Sequence, residues 1–121
     1  LHYVHNYLGL AEYRVSSSEE LPAGRMVLQM RFSPTGEHQG RAALYLDGRC
    51  IGEGGIPRTV PAVIETSAEG LCCGYDGGLP VTPGYEAPFR FTGHIEQVVV
   101  QVGEGPGPDA EAQLRNAFTD Q

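Results

Sequence analysis

The sequence predicts an all-β fold, an antiparallel β-sandwich of jelly-roll or lectin-like type with a short C-terminal helix. Three observations carry this expectation. Apolar residues recur with period two along several stretches, the spacing that puts alternate side chains on one face of a strand. Turn-forming residues, among them 17 glycines and 9 prolines, interrupt the chain about every ten residues, as in sandwich folds. A helix-forming run, DAEAQLRNAF, comes only near the end.

Taken in order, HYVHNYL and AEYRVS read as the first strands, and LPAG at 21–24 turns the chain. In RMVLQMRF, Met26, Leu28, Met30 and Phe32 share one face, with Val27, Gln29 and Arg31 on the other. RAALYLD alternates through Ala42, Leu44 and Leu46. Asp47-Gly48 then sits between two strand-like runs and predicts a type I′ hairpin, whose central residues both need positive φ. Pro57 and Pro61 bracket a connection, since neither can donate to a ladder, and AVIET resumes as a strand. LCCGY is a further short strand, and GYDGGLPV at 74–81 a glycine-rich turn around Asp76. GHIEQVVVQV closes the series, with Val98, Val100 and Val102 on one face. Residues 1–103 thus form one β-sandwich module. Residues 104–121 are a Gly/Pro linker and a helical tail, with Asp109 as N-cap and Leu114 and Phe118 on one face.

The 121 residues suit one domain, burying roughly two-thirds of the unfolded surface. A net charge of −7 argues against nucleic acid, whose backbone is bound by neutralising cations, and against acidic membranes. No apolar run approaches the ~20 residues of a membrane span. All eight basic residues are Arg, a coding bias rather than a guanidinium-based function. Cys50, Cys72 and Cys73 have no metal-ligand spacing and are expected as buried thiols acting as small hydrophobes. That odd set, with no leader pattern at the start, fits a reducing, cytoplasmic setting.

Chemistry is sparse. His2, His5, His38 and His94 are available bases, but His2 and His5 fall on opposite strand faces and read as half-exposed histidines. No serine or cysteine lies in a nucleophile motif. No carboxylates alternate along a strand as paired glycosidase acids would. The residues left as binding candidates are Tyr75, Asp76 and Tyr85. Tyrosines can stack a sugar, although on strands they more often rim the core. Asp76 reads as the cap of its own turn; the alternative is a calcium ligand, for which the neighbouring acidic residues are too few. No cofactor is expected.

From Leu71 onward the sequence LCCGYDGGLPVTPGYEAPFRFTGHIEQVVVQV resembles the closing segment of the C-terminal domain of bacterial arylsulfatases. The shared features are Gly74 and Asp76, then Pro80-Val81, Tyr85, the run through Pro88, Phe89, Phe91 and Gly93, and the valine-rich end. HNYLGL, LPAG, ALYLDGRCIGEG and IPRTVP resemble the family in order and spacing, so the likeness spans nearly the whole chain. It implies a non-catalytic structural or interaction module that packs on a sulfatase catalytic domain. Sulfatase chemistry needs a C/S-x-P-x-R motif and an acidic calcium site. Cys50 is followed by IGEG, Cys72 by CGYD and Cys73 by GYDG, so no enzyme activity is expected of this chain. The vicinal Cys72-Cys73 departs from the family pattern. The expected partner is that catalytic domain in a parent chain, or a second copy through the unpaired edge of HYVHNYL, as a homodimer. A free-standing lectin-like carbohydrate-binding domain is the alternative reading.

Overall fold

The computed structural model describes residues 1–60 and 70–102. The chain divides into two units, Leu1–Phe91 and Thr92–Gln121. The described residues are all-β, and every strand pairing among them is antiparallel.

The first unit opens with a hairpin, β1 (His2–Tyr7) and β2 (Ala11–Ser16). Its loop places Leu8 and Gly9 at positive φ, and the Asn6 side chain accepts the Gly9 N–H at 2.8 Å. A three-stranded sheet follows, ordered β3 (Leu28–Gly36), β4 (Gln39–Leu46) and β5 (Arg49–Ile56). The turn between β4 and β5 is the expected two-residue type: Asp47 has φ 48° and Gly48 φ 83°. Asp47 also holds the entry to β3, accepting the Val27 N–H at 2.8 Å while its own N–H donates to the Val27 carbonyl. The Asp-Gly pair therefore ties three strands together, more than a hairpin signal alone announces. Two short strands, β6 (Tyr75–Asp76) and β7 (Phe89–Arg90), complete the unit.

The core lies where β2 packs on β4 and β5. Val15, Ala42, Leu44, Leu46, Ile51 and Ile56 are buried there, with Tyr3, Tyr13, Leu21 and Met26 packed at the margin. A bulge sets the approach. Leu44 faces Gly52 and Tyr45 faces Cys50, so Ile51 is the extra residue. Its carbonyl, freed from the ladder, accepts the Ser18 N–H at 2.7 Å as the chain leaves β2. Gly52 and Gly54 have no side chains to hold β2 off, and the Ser16 carbonyl passes directly over Gly52.

Several expectations need correction. The Met26 to Phe32 pattern does give a strand, but β3 is exposed along its whole length rather than half-buried. Leu28, Met30 and Phe32 face the same way as their partners Leu46, Leu44 and Ala42, yet the hairpin packs mainly through β2 on β5 and β4, and between Leu1, Tyr3, Leu28 and Met30 an open pocket of about 190 Å³ remains. Pro34 falls in β3 at a bulge, where an edge strand tolerates a missing N–H. Of LCCGY only Tyr75 enters a strand, β6, which it shares with Asp76. Residues 92–102, the described part of the second unit, form no strand, and Ile95, Val98, Val99, Val100 and Val102 are exposed. Period two records what a strand would bury, and a strand also needs a partner for its backbone. The three cysteines are exposed, not buried, because each sits at or beyond the margin of the covered face. AVIET and the helical tail lie outside the described residues.

Candidate functional site

The glycine-rich turn opens the site. Asp76 stands on β6 opposite Phe89 of β7. One carboxylate oxygen accepts the Gly78 N–H at 3.4 Å, the self-capping turn expected of Asp among glycines. The other accepts a hydrogen bond from the Tyr85 hydroxyl. Tyr85 in turn accepts the Val81 N–H at 3.2 Å, and its ring lies 5.3 Å from that of Phe89. The loop from Asp76 to Tyr85 is thus closed on itself by one carboxylate and one phenol. The hydrogen bond to Asp76, aided by burial, holds the Tyr85 phenol above its ordinary pKa.

The same loop lies against the outer face of the β1–β2 hairpin. Asn6 donates to the Val81 carbonyl at 2.9 Å. Thr82 is buried, donates to Glu12 at 2.6 Å and accepts from Arg14 at 3.2 Å. Glu12 and Arg14 are also 3.6 Å apart as a charge pair. His2, Val4, Arg14, Val81, Thr82 and Tyr85 line an open groove of about 390 Å³.

Of the three residues singled out from sequence, the structure brings Asp76 and Tyr85 into contact and leaves Tyr75 apart. Tyr75 turns to the opposite side, under the Arg90 guanidinium at 5.4 Å. Glu12, Arg14 and Thr82 escaped sequence reasoning, because 68 residues separate Arg14 from its threonine and no local pattern spans that distance. His2 donates or accepts at Ser16 on the outer face. His5 faces inward beside Tyr13, and its buried Nε2 has no hydrogen-bond partner among the described residues. As a residue His5 is half-buried, which agrees with the expectation of half-exposed histidines; only this one nitrogen is covered. Among the described residues no group of three or more His, Cys, Asp or Glu is placed to hold a metal ion, and no helix is long and apolar enough to cross a membrane.

The Asp76–Tyr85 bond is the hinge of the site, and its removal is measurable. Asp76→Ala should cost about 1–2 kcal/mol, the worth of a hydrogen bond to a charged group discounted for partial exposure. A chelator should leave the melting temperature of the wild-type chain unchanged; a fall would assign Asp76 to calcium instead. The pH dependence has a definite sign. Because the Tyr85 pKa is raised in the folded state, its contribution is full below about pH 10, the unfolded value. It is lost as pH climbs through the folded value. Burial raises Tyr3 in the same direction, so Tyr85→Phe should flatten the alkaline limb of a melting-temperature profile without abolishing it.

Over the described residues, fold and site together define an all-β arrangement of antiparallel sheets with a hydrogen-bonded polar seam between a loop and a hairpin. No family model, curated protein or solved structure matches it.

Proposed function

We propose that the chain is a non-catalytic structural or interaction module, similar to the C-terminal domain of a bacterial arylsulfatase, whose two β layers belong to an antiparallel sandwich of jelly-roll type. One observation carries the reading. The polar groups gathered at the site are spent on one another, Asp76 on Tyr85 and Gly78, Thr82 on Glu12 and Arg14. A catalytic centre holds a nucleophile and base in reach of a reacting atom; here the bonds lock a loop onto a hairpin. The partner in this reading is a sulfatase catalytic domain. Its test is an assay of the isolated chain, with calcium, on a chromogenic aryl sulfate. No turnover is expected, and turnover that chelator abolishes would overturn the reading.

The groove beside Arg14 favours a second reading, a lectin-like domain for a carbohydrate. Tyr85 and Thr82 lie along its wall, and His2 stands at its edge. Saturable glycan binding by calorimetry, lost in Arg14→Ala, would move the assignment there.

A further inference from the structure

We infer that the free edge of β3 pairs with β3 of a second copy, antiparallel, about a two-fold axis at Met30. Among the described residues β3 is hydrogen-bonded to β4 on one side and ends the sheet on the other, and an open edge is a template for another strand. Its side chains make that template self-complementary. Centred on Met30, the pairing sets Leu28 opposite Phe32, Met30 opposite Met30, and Phe32 opposite Leu28. These three are 41%, 44% and 38% exposed and continue the face that buries Ala42, Leu44 and Leu46. The six side chains would form one apolar stripe and extend two cores into each other.

Charge selects a second copy and fixes the register. The chain carries −7 overall, yet residues 21–36 contain no acidic residue, so this is a face on which two copies can meet without opposing carboxylates. The one charge within β3, Arg31, would face the neutral Gln29 of the other copy. Its guanidinium is drawn back over the Tyr45 ring of β4, at 4.9 Å, which leaves the edge clear. Pro34, with no N–H, ends the pairing edge, so that a pairing of residues 27–33 has Met30 at its centre. Homo-oligomers most often close with this two-fold symmetry. The edge used is β3, not the HYVHNYL edge expected from sequence. The inference concerns the chain alone and stands whether or not it belongs with a sulfatase.

The experiment is light scattering of the full chain in reducing buffer over a micromolar concentration series. The mass should rise from 13.0 kDa toward twice that value. Association should tighten with added salt, because screening relieves the repulsion between two acidic chains. Met30→Arg places two cations on the axis and should weaken association at least tenfold, with the circular dichroism spectrum unchanged because Met30 is half-exposed. Leu10→Arg, on the remote hairpin loop, should leave the dimer intact. In a background with Cys50, Cys72 and Cys73 changed to Ser, Met30→Cys should cross-link to a dimer on mild oxidation and Ser33→Cys should not. A mass that stays at the monomer value on concentrating overturns the inference. So does a dimer indifferent to Met30→Arg, one loosened by salt, or one cross-linked through position 33 rather than 30.

Discussion

Gly52→Val should be the most damaging single substitution in the β-layers. A Cβ at Gly52 would stand 2.5 Å from the Ser16 carbonyl oxygen and 3.1 Å from its carbon and from the Ser17 Cα. All three are backbone atoms, so no rotamer change relieves the contact. The β1–β2 hairpin must lift off β5, which opens the Val15 contact and pulls the Ser18 N–H from the Ile51 carbonyl. Overpacking costs about 1–3 kcal/mol where side chains can yield, and here they cannot, so about 3 kcal/mol or more is expected. Domains are stable by only ~5–15 kcal/mol, and each kcal/mol moves the melting temperature by roughly 4–8 °C at 60–100 residues. A fall of more than ~10 °C by calorimetry should follow. Gly55→Ala is the control: a Cβ there meets nothing within 4 Å, and the melting temperature should hardly move.

Leu44→Ala comes second. Leu44 is 1% exposed, on the central strand, and with Ile56 is the largest fully buried side chain among the described residues. It lies between the hairpin above and its strand neighbours Met30 and Gly52. Gly52 offers no side chain to fill the hole, and β2 already rests on backbone. The cavity therefore persists, and a loss of about 2–5 kcal/mol is expected from equilibrium denaturation. Leu10, 78% exposed in the β1–β2 loop, gives the comparison; Leu10→Ala should cost little because it removes no buried surface. Equal losses at the two positions would mean that the core lies elsewhere.

Local rules were legible in the sequence, and long-range ones were not. Asp47-Gly48 announced its turn because the positive φ of a type I′ hairpin is a property of two residues. The alternation of Ala42, Leu44 and Leu46 announced a buried face because both neighbours of β4 lie in the same hairpin series. The same alternation misled at 95–102, where the pattern is strong but the described residues supply no partner strand, and at β3, whose apolar side chains are left exposed among the described residues. Gly52 and Gly54 went unread, although glycine inside a strand can mark another chain segment passing close by; here these are the Ser16 carbonyl and the Val15 side chain. At the site, Asp76 was visible as a turn residue, and Tyr85 lies nine residues away, within one loop. Thr82 with Glu12 and Arg14 depends on a loop folding back across the hairpin, which no short window contains. The cysteines were misjudged because small apolar character predicts burial only where a second layer exists to provide it.

The parentage proposed for this module is tested most directly by sequencing the reading frame upstream of Leu1. A frame that continues upstream and contains a C/S-x-P-x-R motif, with acidic residues for a calcium site, is the predicted result. A frame that opens at or just before Leu1, or that continues into a domain with neither feature, would contradict the arylsulfatase reading.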